Sequence, residues 1–193
     1  LNSEVKKLLI ETGFTKYVRT NSSNIAHESE TLQIKYGNIL DPNVTMEACN
    51  LIIKNAKVDR TKVLFIRETV NEFMDNTMGH AYEKNTIFDP CWYLFVKCDT
   101  DKAVFTFLDN GLGIPYTVKK TLIEILKDKF YKRNDGYYIK SALDGEFRSE
   151  TGKSNRGKGL PEVYNNVIEH NIKKFSIISN NGIFKENTAY ESR

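Results

Sequence analysis

The chain has 193 residues, enough for one domain or at most two at roughly 100–200 residues each. Charged residues make up 27% and apolar residues 40%, close to the globular average, which excludes wholesale disorder. A net charge of +3, from 28 Lys plus Arg against 25 Asp plus Glu, is too mild to announce a nucleic-acid binder and leaves that partner open.

No apolar run reaches the roughly eighteen residues that a membrane helix needs, so no membrane partner is expected. Cys49, Cys91 and Cys98 form no Cys-x-x-Cys pair. They fit free thiols in a reducing cytoplasm better than a disulfide frame or a zinc site.

Residues 1–60 read as an N-terminal segment of helix and loop with no assigned role, and residues 61–193 as a separate domain. Within the first part, Asn21-Ser22-Ser23-Asn24 reads as a loop and Asp41-Pro42-Asn43 as a turn. Met46, Cys49, Ile52, Ile53 and Ala56 recur at helical spacing over Thr45 to Lys57. Thr61 to His80 predicts one long helix. Cys91 to Cys98 and Ala103 to Leu108 predict two strands rich in aromatic and branched residues, joined as a hairpin across Asp99 to Lys102.

Asn110-Gly111-Leu112-Gly113 breaks the second strand. Pro115 is placed to start a helix whose apolar face is Val118, Leu122, Ile125, Leu126 and Phe130. Asp135 to Lys158, polar and rich in glycine, reads as a long mobile loop. Leu160 to Asn171 reads as a helix starting at Pro161. Lys174 to Ser179 and the segment after Gly182 read as late strands. The order of these elements predicts a mixed α/β layer.

At about 100° per residue, Val63, Ile66, Val70, Phe73, Met74, Thr77 and Ala81 share one face of the long helix. Glu68, Glu72, Asp75, Asn76 and Gly79 gather on the opposite side, with Phe65 intruding one turn earlier. An ordinary solvated face would explain that stripe. The lack of lysines favours a functional one. Glu72 and Asn76 are i and i+4, so their side chains converge. Glu72 suits a general base. Asn76 offers a neutral oxygen to Mg²⁺, a hard cation, and Gly79 leaves room beside them.

Asp109 follows a strand directly, and an ionised carboxylate there only accepts. It suits the exocyclic amino group of adenine, while Gly111 and Gly113 let backbone approach a planar ligand. An ordinary turn is the plain alternative. Further on, Gly152-Lys153-Ser154 is no P-loop, because Phe147 stands where its first glycine belongs. Gly157-Lys158-Gly159-Leu160-Pro161 instead opens a helix, whose N-terminal N–H groups favour an anion. Lys153, Arg156 and Lys158 add positive charge. A flexible basic loop is the alternative there.

Taken in order, Glu72 to Ala81, Asp109 to Pro115 and Gly157 to Leu160 resemble the N box and the two glycine boxes of the GHKL ATPases. That superfamily includes DNA gyrase, MutL, the large heat-shock chaperones and the histidine kinases. The resemblance covers roughly residues 60–185. It implies a two-layer Bergerat-type α/β sandwich, with a mixed sheet on one side and helices on the other, binding ATP with Mg²⁺.

By resemblance, Asn76 ligates the metal, Asp109 binds adenine and Gly113 lines its pocket. The segment 135–158 would be a lid, with Gly157, Lys158, Gly159 and Leu160 at phosphate, and Glu72 would activate the hydrolytic water. The Gly-Thr pair usual on a late strand is missing, and Thr188-Ala189 is no substitute, so the chain is expected to be truncated at its C-terminus.

The activity this implies is ATP hydrolysis coupled to conformational change in a larger protein, through an effector or partner domain outside the chain. Dimerisation on ATP binding, common in the family, is a further expectation. Two other readings use the same site. One is a protein kinase, directed at serine or histidine: serine-directed kinases of the anti-sigma type share Glu-x-x-x-Asn-x-x-x-His, with His80 in place, whereas histidine kinases commonly carry Asn where Glu72 stands, and His27-Glu28 faintly resembles a phospho-acceptor box. A sensor would bind ATP without turnover.

Overall fold

A computed structural model of the chain describes residues 10, 31–56, 58, 60–80, 89–119, 133–146, 159–169 and 172–186. The described elements are β1 (Thr31–Gly37), α1 (Pro42–Asn55), α2 (Arg60–His80), β2 (Trp92–Cys98), β3 (Ala103–Asp109), α3 (Ile114–Val118), α4 (Asp135–Leu143), α5 (Gly159–Glu169), β4 (Phe175–Ser179) and β5 (Gly182–Glu186). They make a mixed α and β fold that divides into two compact units. One holds residues 1–78 and 87–110, the other 79–86 and 111–193. Elements on both sides of residue 60 therefore share the first unit.

In the first unit β1, β2 and β3 form an antiparallel sheet in that order. Trp92, Leu94, Val96 and Cys98 of β2 are buried and alternate with half-buried neighbours, the period of a strand covered on one face. At the β2–β3 connection Asp99 accepts from the backbone N–H groups of Asp101 and Lys102, each at 3.0 Å. The Asp101 bond is the chief reason that the Asp99 carboxyl titrates below its ordinary value.

Helix α1 begins where Asp41 accepts from the Asn43 N–H at 2.9 Å and Pro42 takes the first turn. It buries Thr45, Ala48, Cys49 and Ile52, one stripe at helical spacing. The Thr45 hydroxyl donates to Asn71 Oδ1 of α2 at 2.8 Å, and the Cys49 thiol lies 3.7 Å from the Val63 carbonyl. Burial pushes the Cys49 thiol up. The Cys98 thiol meets the Leu51 carbonyl of α1 at 3.6 Å. The Phe73 ring of α2 meets Phe107 of β3 at 5.3 Å. Both helices thus pack on the face of the sheet that carries Trp92 and Leu94.

The second unit contains α3, α4, α5 and the antiparallel hairpin β4–β5. Here the structure departs from the sequence reading twice. The resemblance predicts a mixed sheet, yet every strand pair among the described residues is antiparallel. The short links between β2 and β3 and between β4 and β5 allow only that orientation.

Residues 135–143 are also helix, not loop. Asn134 caps α4 by accepting from the Tyr137 N–H at 2.9 Å, and Tyr138, Ile139, Ala142 and Leu143 give it a buried apolar stripe. Glycine content hid that stripe, because Gly136 sits in the first turn of α4 and Gly145 just past its end. The remainder of the expected lid, 147–158, lies outside the described residues, as do Leu122, Ile125, Leu126 and Phe130.

Asp135 organises this unit. Its carboxylate accepts from the Asn181 N–H at 3.1 Å and pairs with Lys119 at 3.4 Å, and the Lys119 ammonium also sits 4.4 Å from the centre of the Tyr138 ring. A Cβ on Gly182 would come within 2.6 Å of the Asp135 carbonyl carbon, so β5 can approach α4 this closely only with glycine there. Gly182→Ala is expected to destabilise the protein by about 1–3 kcal/mol. Urea unfolding with an unchanged midpoint would contradict that packing.

Candidate functional site

Helix α2 has two unlike faces, and neither is plainly solvated. Val63, Ile66, Val70, Met74 and Thr77 are buried, as the apolar period predicts. Phe65, on the expected polar side, is buried as well, at 8% exposure. Glu68, Asp75 and Gly79 are exposed, whereas Thr69, Glu72 and Asn76 are half-buried. The stripe through Phe65, Thr69, Glu72 and Asn76 is therefore partly withdrawn from water.

Two polar atoms on that stripe are anomalous. Asn76 Nδ2 and Thr69 Oγ1 are buried, and neither has a hydrogen-bond partner. A buried polar group left without one costs about 1–3 kcal/mol, so such an atom calls for an explanation. Half a turn of the Asn76 carboxamide puts Oδ1 where Nδ2 lies, so the position can present a donor or an acceptor.

Asp109 is the last residue of β3 and pairs with Trp92. Alternation along the strand puts it on the same face as Phe107, the residue whose ring meets Phe73. Phe73 directly follows Glu72 and precedes Asn76 by three. The first unit thus places Glu72, Asn76 and Asp109 on elements that pack together, with Asp109 exposed at the strand's end.

Asn110 fixes that end. Its Oδ1 accepts from the Cys91 N–H at 3.1 Å, its Nδ2 donates to the Asp89 carbonyl at 3.3 Å, and its own N–H reaches the Cys91 carbonyl at 3.4 Å. The sequence reading gave Asn110 no role of its own. Its only signal was an asparagine just after a strand, a residue type that often bonds to nearby backbone.

The glycine boxes belong to the second unit. Gly113 has φ +87°, which excludes other residues without strain. Its surroundings already account for it: an added Cβ would lie 2.8 Å from Ser179 Oγ and would also clash with the Asn180 side chain. Ser179 Oγ accepts from the Ile114 N–H at 2.8 Å, and Asn180 donates to the Leu112 carbonyl at 3.1 Å. The β4–β5 turn therefore clamps the Gly111–Gly113 segment.

Gly159 and Leu160 begin α5, followed by the buried Pro161, whose missing N–H costs nothing in a first turn. Gly157, Lys158, Lys153, Arg156 and the His27-Glu28 pair lie outside the described residues, and so does the side chain of His80. Gly79 differs from the other glycines, because an added Cβ there would meet nothing within 4 Å. Packing does not explain a glycine at that point of a helix.

Among the described residues no three of His, Cys, Asp and Glu gather into a metal site. An all-protein cage is thus not present among them. Mg²⁺ commonly takes one or two protein oxygens and completes its shell with phosphate and water. The half-buried Asn76 carboxamide, whose Nδ2 is buried and unpartnered, fits a single such contact. Among the described residues no helix is long and apolar enough to cross a membrane. Compared with protein-family models, with curated proteins and with solved structures, the chain finds no match.

Gly79→Ala tests whether the glycine serves a ligand. The change should stabilise the protein by up to about 1 kcal/mol through helix propensity. A lower melting temperature would reveal a packing role that the geometry does not show. Asn110→Ala should cost about 1–2 kcal/mol, since it removes two hydrogen bonds that hold the end of β3. Hydrogen exchange at the Cys91 amide should rise with it, and an unchanged rate would contradict the tie.

Proposed function

We propose that this chain is an ATP-binding module of the GHKL type that hydrolyses Mg-ATP and so drives a conformational change in a larger protein. One observation carries the reading. Asn76 has a buried, unpartnered side-chain nitrogen, one turn from Glu72, on a helix packed against the strand that ends in Asp109. The motif order supplies the rest. A Bergerat-type sandwich remains part of this proposal, as do the phosphate roles of Gly157, Lys158, Gly159 and Leu160 and the adenine role of Gly113.

In this reading Asp109 accepts from the exocyclic amino group of adenine. Its place at the end of a paired strand, pinned by Asn110, limits its freedom and so reduces the entropy lost on binding. Asn76 offers a metal-facing oxygen, and bound Mg²⁺ would neutralise charge on the phosphates. Glu72 takes the proton of the attacking water. An effector domain beyond this chain would read out the change, with ATP-dependent dimerisation as one route.

Phosphate release by the wild-type protein tests the activity. Glu72→Ala should lower kcat by about 10²–10⁴-fold while retaining Mg-ATP binding. Label appearing on a serine or histidine of a partner would favour phosphotransfer. Tight binding with neither outcome would favour a sensor. Asp109→Asn should weaken ATP by about tenfold or more, because an amide turned the wrong way presents a donor to a donor. Asn76→Ala should mainly weaken the Mg²⁺-dependent part of binding. Calorimetry that finds both variants unchanged would remove the site.

A further inference from the structure

We propose that Asp135 is a positioning residue of the nucleotide site, holding the Gly111–Gly113 backbone in the shape that the base meets. The inference rests on the ATP-binding reading above and adds to it a residue outside the three motifs.

The β4–β5 turn is the link. On one side it grips the two backbone groups that flank Gly113. Ser179 Oγ accepts from the Ile114 N–H at 2.8 Å, and Asn180 Nδ2 donates to the Leu112 carbonyl at 3.1 Å. On the other side Asp135 holds the turn, its Oδ2 accepting from the Asn181 N–H at 3.1 Å. Three consecutive residues thus join the glycine segment to the first residue of α4.

A second path joins the same two places. Helix α3 starts directly after Gly113, and Lys119 caps its end. The Lys119 ammonium pairs with Asp135 Oδ1 at 3.4 Å. One carboxylate oxygen therefore holds the turn, and the other holds the helix that continues the glycine segment. An acid in the first turn of a helix is favourable by its place alone. That explains a charge at 135, but not the engagement of both oxygens by groups outside the helix.

The joints have no slack. A Cβ on Gly113 would strike the Asn180 side chain, and one on Gly182 would lie 2.6 Å from the Asp135 carbonyl carbon. Contacts this close pass a displacement on rather than absorb it. A segment already held in its bound shape loses less freedom when a ligand arrives. Asp135 thus acts on affinity without touching the nucleotide. Linkage makes the effect reciprocal: a ligand that favours the held shape tightens the bond between Asn181 and Asp135. Occupancy of the site is registered in this way at the start of α4.

The test uses the full chain, well below its melting temperature, and compares wild type with Asp135→Ala, Asp135→Asn and Tyr164→Phe. The last removes the hydrogen bond from Tyr164 to Glu186, 2.9 Å in the same unit, and none of the contacts of Asp135. Calorimetry reads Mg-ATP affinity, and its stoichiometry reports the folded fraction. Asp135→Ala should weaken Mg-ATP by about fivefold or more. Asp135→Asn, which keeps an oxygen for the Asn181 N–H, should fall between alanine and wild type. Tyr164→Phe should lower the melting temperature yet keep affinity within about twofold. In the wild type, Mg-ATP should slow hydrogen exchange at the Asn181 amide more than in α5.

Asp135→Ala that melts earlier but binds Mg-ATP like wild type would overturn the role and leave Asp135 a staple of the fold. So would an Asn181 amide that Mg-ATP slows no more than α5, a measurement that needs no variant and stands even if Asp135→Ala does not fold. Equal weakening by Tyr164→Phe would do the same, by tracing the loss to general loosening. A wild-type protein that binds no Mg-ATP would remove the ATP-binding reading itself, and the Asp135 role with it. The wild-type titration alone identifies that case.

Discussion

The contact on which the first unit's arrangement turns is the one between Phe73 and Phe107, with ring centres 5.3 Å apart. It joins the middle of α2 to the last turn of alternation in β3. Phe107 also lies 6.3 Å from the Trp92 ring, and Trp92 is fastened by its indole N–H to the Ile39 carbonyl at 2.7 Å. Three aromatic rings and one hydrogen bond thus set the height and rotation of α2 over the sheet. Glu72 and Asn76 inherit their positions from Phe73 through the helix, and Asp109 inherits its own from Phe107 through the strand. A shift of α2 by one residue would rotate its polar stripe by about 100° and dissolve the arrangement, although every motif would still be present in the sequence.

Glycines separate into two kinds by the same geometry. Gly37, Gly113 and Gly182 each sit where a side chain would strike something: the Trp92 ring, the Ser179–Asn180 turn and the Asp135 backbone. Their presence follows from packing alone. Gly113 is instructive, since a glycine box explains it as ligand contact and the fold explains it as close approach. Both demands can act at one residue, but the fold's demand suffices. Gly79 is the contrary case. It lies in α2, faces open space and gives up helix propensity with no packing return. The glycine pattern is therefore weaker support for a site at 113 than the single glycine at 79.

Much of the secondary structure was legible. The long helix, the β2–β3 hairpin and the strand β4 follow from period and turn chemistry within about a residue of the observed ends, and β5 lies where a late strand is expected, although its pairing with β4 was not read from the sequence. The apolar face of α2 was legible too, because burial and period agree at Val63, Ile66, Val70 and Met74. Helix α4 was not. Its stripe of Tyr138, Ile139, Ala142 and Leu143 is short and flanked by Gly136 and Gly145, so local composition outweighed a tertiary demand. The burial of Phe65 was equally hidden. One apolar residue on a polar face reads as noise until the partner surface is known. At the candidate site, residue types and spacing named Glu72, Asn76 and Asp109, while only side-chain geometry could single out Asn110.

The polar residues of α1 and α2 sharpen the case for a ligand on this stripe. Where a polar side chain in these helices serves the fold, it is satisfied: Thr45 reaches Asn71, Thr77 reaches its own helix, and Asn55 donates to the Leu51 carbonyl at 3.1 Å. The two unpartnered atoms, on Thr69 and Asn76, lie on the stripe that also carries Glu72. In the proposed function, the failure at two points on one line marks groups reserved for what binds there. The cost of leaving them unmet falls on stability. A solvated face would show no such pattern, because water would reach those atoms, and an apolar contact would have replaced them with carbon.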